Sequence, residues 1–138
     1  MLLTNDLMTI DPDTVAPDAT LREAITLMNA RNIRQLLVVE EGKLVGIITD
    51  RDVRLAVNSP LVTSEPLEKI ELLDSYTVVD CMTVNPKTVA PDTPIHRVAE
   101  LLSAYKYGAL PVVEDEQLMG IITVTDLLDQ MALIPDKD

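Results

Sequence analysis

The sequence predicts a mixed α/β (α+β) protein in which one β-α-β-β-α unit is used twice. The main observation is an ungapped internal repeat, since residues 6–57 match residues 80–131 at 21 of 52 positions. Within each copy, short apolar runs alternate with segments whose apolar residues have helical spacing. The hydrophobic share is 47% without Phe or Trp, which predicts an aliphatic core. Two such copies are expected to form a pseudo-symmetric cleft, and we expect the functional site to lie in it.

Each copy opens with a short extended segment, around 14–16 and 88–90, that ends in a Pro-Asp turn. A helix follows, and Thr20 is its expected N-cap in the first copy. In the second copy we expect Thr93 to be the N-cap and Pro94 the first helical residue, so that the helix start slips by one position. The apolar faces are Leu21, Ala24, Ile25 and Met28 in the first helix and Ile95, Val98, Leu101 and Leu102 in the second.

Two strands joined by a tight acidic turn come next in each copy, and a second helix starts near Thr49 or Thr123. Residues 58–79 have no counterpart and are interpreted as a linker that packs across the module. Ser64 is a candidate cap there for a short helix over 65–73. The predicted strands are 36–40, 44–48, 110–114 and 118–122, and the predicted divisions are repeat 1 (1–63), a linker (64–79), repeat 2 (80–134) and a frayed tail (135–138).

Composition and charge narrow the possible functions. A formal net charge of −12 disfavours binding to nucleic acids and to anionic lipid surfaces. Cys81 is the only cysteine, which excludes a disulfide within one chain and fits a reducing compartment. The apolar runs are too short to span a membrane, and the first residues lack the features of a signal peptide. We therefore expect a cytoplasmic protein without nucleic-acid or membrane partners.

The residue types that usually carry catalysis are sparse. His96 is the only histidine and is interpreted as a surface residue, and with a single Cys it cannot form an ordinary zinc site within one chain. The Gly-rich motifs that bind phosphates or dinucleotides do not occur. Cys81 is interpreted as a small buried residue. We predict no catalytic residue, no metal site and no required cofactor, and we do not expect an enzyme.

Several motifs resemble those of a known family. Met-Thr at 8–9 and 82–83, Leu-Pro-Val-Val at 110–113 and Gly-Ile-Ile-Thr-x-x-Asp in both copies resemble tandem cystathionine-β-synthase (CBS) domains, or a Bateman module. The chain is similar to stand-alone bacterial CBS pairs and to the CBS part of acetoin-utilisation proteins. The resemblance implies two three-stranded sheets flanked by helices and packed through their sheets, and commonly a homodimer. It also implies adenosine-containing ligands in two clefts between the repeats.

The two Thr-x-x-Asp segments, 49–52 and 123–126, allow two interpretations. The carboxylate can accept hydrogen bonds from both ribose hydroxyls, while the Thr hydroxyl and free N–H groups of the helix start bind a phosphate. Alternatively, Thr-x-x-Asp is only a capping box. Alone, the motif favours the capping box, whereas its duplication within the family pattern favours ligand binding.

The resemblance also implies which residues line the clefts. Asp52 and Asp126 would hold ribose, and Met and aliphatic side chains would enclose adenine, although core packing is the alternative for the Met residues. Arg51 in the first cleft and Arg34 in the second would bring charge to a phosphate, or would be solvated or paired with acids. The first cleft comprises Thr49, Arg51, Asp52, Met82, Val84, Lys87, Tyr107, Gly108, Ala109 and Leu110; the second comprises Thr123, Thr125, Asp126, Met8, Ile10, Asp13, Arg34, Gln35 and Leu36.

We therefore expect a regulatory module that senses AMP, ADP or ATP, with S-adenosylmethionine or NAD as alternative ligands, and that acts on an unidentified protein target. The rival interpretation is a ligand-free module for dimerisation or protein interaction. Such a module would use exposed apolar helix faces, such as the one near Leu21 and Ile25.

Overall fold

The computed structural model describes residues 1–58 and 66–136, the side chains of 66–68 excepted. Helices and short strands are mixed along the chain, which confirms the predicted α/β class. In chain order the elements are α1 (Thr4–Leu7), β1 (Thr9–Ile10), β2 (Thr14–Val15), α2 (Leu21–Arg31), β3 (Gln35–Glu40), β4 (Lys43–Thr49), α3 (Asp50–Val57), α4 (Pro66–Ser75), α5 (Val78–Cys81), β5 (Thr83–Val84), α6 (Ile95–Tyr105), β6 (Ala109–Glu114), β7 (Gln117–Thr123) and α7 (Val124–Ala132).

The chain forms two compact units that do not coincide with the two sequence repeats. Unit 1 comprises Met1–Pro12 and Lys87–Asp138, whereas unit 2 comprises Asp13–Pro86. We call α1 with β1, and α5 with β5, the opening segments of the two repeats. Each opening segment therefore belongs to the unit that contains the body of the other repeat. The repeat, linker and tail boundaries expected from the sequence stay a prediction.

Unit 2 contains a four-stranded sheet in the order β2-β3-β4-β5. Strand β2 is parallel to β3, and β4 is antiparallel to both β3 and β5. The three strands implied by the family resemblance are wrong for this unit, because β2 pairs with β3 over two residues. The buried core on this sheet includes Leu21, Met28, Leu36, Val38, Ile48 and Val78.

Unit 1 contains a three-stranded sheet in the order β1-β7-β6, as implied by the resemblance. All its pairs are antiparallel, and Val89 forms only an isolated parallel bridge with Val112 where unit 2 has β2. The core of this unit is aliphatic, as composition predicted, and contains Val89, Val98, Leu101, Leu102, Leu110, Val112 and Ile122.

The long helices of the two repeats start at equivalent positions. Thr20 is the N-cap of α2 and accepts a hydrogen bond from the backbone of Glu23 at 3.1 Å, as predicted. The prediction that Thr93 caps α6 is wrong, because Pro94 is the N-cap and the Thr93 hydroxyl accepts from the Ala90 N–H. The Ile95 N–H donates to the backbone carbonyl of Leu2 at 3.1 Å, so the residue two positions before α1 satisfies this donor of the helix end.

Helix α4 confirms the short helix expected between the repeats. It packs against α2, where the Arg22 guanidinium makes two hydrogen bonds with the Asp74 carboxylate. This pair raises the pKa of Arg22 and lowers the pKa of Asp74, in both cases mainly through the hydrogen bond. Leu73 packs against the core of unit 2, whereas Ile70 is largely exposed. The predicted cap Ser64 and the start of the expected helix lie outside the described residues.

The exposed apolar surface is not where the sequence suggested. Leu21 is fully buried and Ile25 packs against the core, so the face near them is not free for association. Exposed apolar side chains instead follow one face of α7, at Val124, Leu128 and Met131.

Candidate ligand-binding site

Each Thr-x-x-Asp segment lies where the last strand of a repeat ends and the next helix begins. In unit 2 the Thr49 hydroxyl accepts from the Asp52 N–H at 3.1 Å, and Asp52 Oδ2 accepts from the Thr49 N–H at 2.8 Å. Thr123 and Asp126 form the same two bonds at the same distances in unit 1. Both segments are therefore capping boxes, which was the alternative to a binding role.

The capping geometry leaves acceptor capacity unused. An ionised carboxylate offers about four lone-pair sites on two oxygens, and each capping box occupies one of them. Within the described parts of the chain, neither Asp52 nor Asp126 makes a hydrogen bond through Oδ1. Both aspartates are half-buried, so this oxygen lies at the surface of a partly enclosed position. A capping role and a ligand-binding role are compatible.

The helix starts offer fewer free backbone donors than expected. In α3 the Asp50 N–H donates to the Arg34 carbonyl at 2.9 Å, and the Asp52 N–H is held by Thr49. In α7 the Val124 N–H donates to the Gly108 carbonyl at 3.0 Å. Among the first three N–H groups of each helix, only those of Arg51 and Thr125 lack a partner within the described residues. A phosphate would therefore find one backbone donor at each helix start, together with the helix dipole.

The opening segment of the second repeat lies beside the junction in unit 2. Val84 pairs with Gly46 on β4, and a Cβ added to Gly46 would come 2.5 Å from Met82 Sδ. Burial raises the pKa of the Cys81 thiol, and the nearby charges of Asp80 and then Asp52 raise it further. Val84 is 63% exposed, so the opening segment presents an apolar side chain on the edge of the strand that leads to Thr49.

Unit 1 repeats this arrangement with the opening segment of the first repeat. Ile10 pairs with Gly120 on β7, and a Cβ added to Gly120 would come 2.5 Å from the Thr9 carbonyl and 3.1 Å from Met8 Sδ. Ile10 is 67% exposed. We call these two places the junction sites: that of unit 2 contains Thr49, Arg51, Asp52, Met82 and Val84, and that of unit 1 contains Thr123, Thr125, Asp126, Met8 and Ile10.

The remaining predicted residues are divided between the units. Five residues of each predicted cleft form a junction site in one unit, and the remaining five of the first cleft and four of the second belong to the other unit, so the assembly of each cleft stays a prediction. The side chains of Leu36, Ala109 and Leu110 lie in hydrophobic cores. The other members outside the junction sites are Asp13, Arg34 and Gln35 in unit 2 and Lys87, Tyr107 and Gly108 in unit 1.

Unit 2 also has an open groove that the sequence did not indicate. Its volume is about 430 Å³, and it lies between the C-terminal half of α2 and the start of α3. Arg54 and Asp50 form an ion pair at 2.9 Å on one wall, and Arg34 is the only lining residue that was predicted to bind a ligand. No local motif unites its residues, which are Ile25, Met28, Asn29, Asn32, Ile33, Arg34, Asp50 and Arg54.

Residues 1–58 and 66–136 contain neither a cluster of metal ligands nor a helix suited to a membrane. No group of three or more His, Cys, Asp or Glu side chains there could hold a metal ion. In the same residues, no helix has the length and apolar character needed to cross a membrane.

The repeats, the sheets and the junction sites identify a family. A family model described as CBS domain matches residues 5–59 and 78–133. The chain therefore belongs to the CBS domain family, as a tandem pair, which confirms the resemblance seen in the sequence.

Similar proteins cover nearly the whole chain. A CBS domain-containing protein of Dictyostelium discoideum is 38% identical over 130 residues, which are 93% of this chain and 90% of that protein. The crystal structure of AcuB, assigned as an acetoin utilization protein of Vibrio cholerae, is similar with a TM-score of 0.81 at 31% identity, covering 96% of this chain and 91% of that one.

Two similar structures contain adenosine compounds. The CBS domain pair of protein MJ0100, in complex with 5′-methylthioadenosine and S-adenosyl-L-methionine, has a TM-score of 0.81 at 30% identity and covers 96% of this chain and 97% of that one. CBSX2 in complex with AMP has a TM-score of 0.78 at 28% identity, with coverages of 96% and 97%.

Proposed function

We propose that this protein is a non-catalytic regulatory module that binds an adenosine-containing ligand of the AMP, ADP or ATP class at its junction sites. The observation that carries the proposal is the unused Oδ1 of Asp52 and of Asp126, each just after a strand that pairs with an exposed opening segment. The complexes of similar CBS pairs with AMP, 5′-methylthioadenosine and S-adenosyl-L-methionine support this ligand class. S-adenosylmethionine and NAD are the alternative ligands, because they share the ribose and adenine.

The geometry suggests a role for each part of a junction site. The two ribose hydroxyls donate to the free carboxylate oxygen, which is already oriented because its partner oxygen is fixed by the capping box. The exposed Val84 or Ile10 and the neighbouring Met offer apolar surface to adenine. The unpartnered N–H of Arg51, with its guanidinium, binds a phosphate in unit 2, whereas Thr125 offers an N–H and a hydroxyl in unit 1.

Regulation follows if the ligand binds one conformation of the protein more tightly than another. The ligand then shifts the population toward that conformation by at most its difference in affinity. A protein target that contacts the favoured conformation would respond. We place this activity in the cytoplasm, without a nucleic-acid or membrane partner, because of the strongly acidic charge and the single cysteine.

The test is calorimetric titration with AMP, ADP, ATP and S-adenosylmethionine, using Asp52→Asn and Asp126→Asn. An Asn side chain still accepts the capping hydrogen bond, but its amide group donates where the ribose needs an acceptor. We expect nearly unchanged melting temperatures and an affinity lowered about tenfold or more, as for loss of a charge-assisted hydrogen bond.

Asp80→Asn is the matched control, because Asp80 Oδ2 likewise accepts from the backbone N–H of an N-cap threonine, Thr77, and has no predicted ligand role. This variant should bind the ligand as the wild type does. The proposal is wrong if no ligand produces heat, or if the two junction variants bind as tightly as the control.

A second candidate function, assembly, is favoured by the exposed face of α7. Val124, Leu128 and Met131 are 37%, 57% and 63% exposed and lie on one side of the helix, where unit 2 has the charged Asp50 and Arg54. A second copy is the proposed occupant, since an uncharged face can pair with itself by twofold symmetry although the chain carries a charge of −12.

Light scattering of Leu128→Glu tests this homodimer. The variant should be monomeric, whereas Leu55→Glu, at a 62% exposed position on α3, should remain dimeric like the wild type. A monomeric wild type would contradict the dimer. A dimer that binds no nucleotide would make assembly the main function.

A further inference from the structure

The open groove of unit 2 is lined only by residues of that unit and is distinct from its junction site. We call it the α2–α3 groove, after the two helices that provide most of its lining. Its volume of about 430 Å³ falls within the range of about 300–1,000 Å³ that is typical of small-molecule sites. A groove of this size suits a small organic molecule.

The lining of the groove combines apolar and polar side chains in a consistent way. Met28 is fully buried, and Ile25 and Ile33 are half-buried and pack against the core of unit 2. The exposed lining residues are all polar, namely Asn29, Asn32, Arg34 and Arg54. A ligand in this groove would therefore need an apolar portion and a polar group.

The charged side chains of the groove leave one positive charge without a partner. Arg54 Nη1 is paired with Asp50 Oδ2 at 2.9 Å, whereas Arg34 makes no ion pair with any residue in 1–58 or 66–136. Two arginines and one aspartate give the groove a net charge of +1, although the chain carries −12. Because the contact with Asp50 uses a single terminal nitrogen of Arg54, both guanidinium groups can still donate hydrogen bonds to an anion.

The second repeat shows that these charges are not needed for the fold. The positions that carry the three charges in unit 2 are uncharged in unit 1, where they are Gly108, Val124 and Leu128. Unit 1 nevertheless forms the equivalent helices α6 and α7 and the equivalent strands β6 and β7. The common architecture therefore does not require the charges, which favours a role for them in recognition.

The two helix ends at the groove favour one orientation of an anionic ligand. Helix α2 ends there with Asn32 as its C-cap, and its last carbonyl groups carry partial negative charge. Helix α3 begins there with Asp50, and its first N–H groups carry partial positive charge. The negative group therefore lies best toward α3 and Arg54, with the apolar portion toward Ile25 and Met28 on α2.

We propose that the α2–α3 groove binds a small organic carboxylate, held by Arg34 and Arg54, whose apolar portion packs on Met28 and the two isoleucines. A carboxylate carries the single negative charge that balances the groove, whereas a phosphate monoester carries nearly two at pH 7. The inference goes beyond nucleotide binding at the junction sites. It also gives Arg34 a role that needs no residue of unit 1.

The test is to titrate the isotopically labelled full chain with isovalerate and to follow its backbone amide resonances by NMR. Isovaleramide is the matched control ligand, because it has the same shape without the charge. We expect isovalerate to produce saturable shifts at the groove residues and isovaleramide to bind about fivefold more weakly. Isobutyl phosphate, which has a similar apolar portion, should also bind more weakly than isovalerate.

Two matched variants test the role of Arg34. Arg34→Gln should weaken isovalerate binding about fivefold, because a charge-assisted contact is lost. Arg31→Gln is the control, since Arg31 is equally exposed, lies three residues away and pairs with Asp13 outside the groove. The double variant Asp52→Asn/Asp126→Asn should bind isovalerate as the wild type does, which separates the groove from the junction sites.

Several results would overturn the inference. Equal binding of isovalerate and isovaleramide, or unchanged binding by Arg34→Gln, would show that the groove does not recognise a carboxylate. An equal loss in Arg31→Gln would assign the effect to overall charge, and tighter binding of isobutyl phosphate would assign the groove to phosphates. If the double variant loses the shifts, the anion binds at the junction sites. If no probe shifts the groove resonances, the groove is not a carboxylate site, and AMP binding at the junction sites is unaffected by that result.

Discussion

Two glycines allow the opening strands to approach the sheets closely. A Cβ on Gly46 would meet the Thr83 carbonyl at 2.8 Å as well as Met82, and a Cβ on Gly120 would meet the Thr9 carbonyl at 2.5 Å. Met side chains can move aside, but a backbone carbonyl in a paired strand cannot do so without weakening the pairing. Each junction site therefore depends on a glycine in the sheet, because any side chain at that position would push the opening strand away.

Gly46→Ala and Gly120→Ala should destabilise the protein by about 1–3 kcal/mol each, as expected for a methyl group forced into a packed position. Urea unfolding measures the loss. Gly108→Ala is the control, since a Cβ there meets nothing within 4 Å and should leave the midpoint nearly unchanged. Equal midpoints for all three variants would show that the opening strands are not held this tightly.

At the scale of elements, local patterns in the sequence were reliable and long-range contacts were not visible. The four main strands and five of the helices follow from periodicity and turn residues, and the Thr-x-x-Asp junctions are local motifs. The prediction for the cap of α6 is wrong because Pro94, which has no side-chain acceptor, occupies the N-cap position, while the Thr93 hydroxyl accepts from the Ala90 N–H. Strands of two residues show no alternation, so their register with β4 and β7 could come only from the structure. Met8 and Met82 enter the predicted site only through the family resemblance; the structure packs each partly buried against the core of its unit, and their role in binding stays a prediction.

The docking of α4 should depend on pH through Asp74. Pairing with Arg22 lowers the pKa of this carboxyl, so the folded state binds a proton less readily than the unfolded state. The pair therefore stabilises the fold above the ordinary carboxyl pKa of about 3.9, and the contribution is lost as the pH falls through the lowered pKa.

We expect Asp74→Asn to lower the melting temperature slightly at pH 7, because the pair is exposed. The difference in melting temperature between this variant and the wild type should become smaller below about pH 4, where the wild-type carboxyl becomes protonated. Thermal melts of both proteins from pH 7 to pH 3 measure this. The double variant Arg22→Gln/Asp74→Asn should behave as Asp74→Asn does. A difference in melting temperature that stays constant over this range would show that protonation of Asp74 is not linked to folding.

At the scale of the molecule, the exchange of opening segments is the feature that organises the chain. The Thr4 and Asn5 N–H groups donate to Thr93 and Pro91, and the Val78 and Val79 N–H groups donate to Ala19 and Pro17, at 2.8 and 2.9 Å in both units. Thr4 and Val78 are fully buried. Each repeat thus lacks part of its core and its edge strand unless the other repeat provides them.

This exchange predicts which fragment of the chain can fold. A fragment of residues 13–86 contains the whole of unit 2 and should unfold cooperatively, whereas a fragment of residues 1–63 lacks α5 and β5 and should not. Thermal melts followed by circular dichroism compare the two. A cooperative transition in the 1–63 fragment with the same midpoint as the 13–86 fragment would show that the opening segment is dispensable.

The same connectivity sets an order of events during translation. Unit 2 is a continuous stretch, so all its parts have left the ribosome once Pro86 has emerged, and it can fold while synthesis continues. Strand β1 is synthesised before unit 2, yet its partner β7 follows more than a hundred residues later. The nascent chain consequently carries β1 without its partner until β7 has been synthesised, which is the interval when a chaperone or a neighbouring nascent chain can capture it.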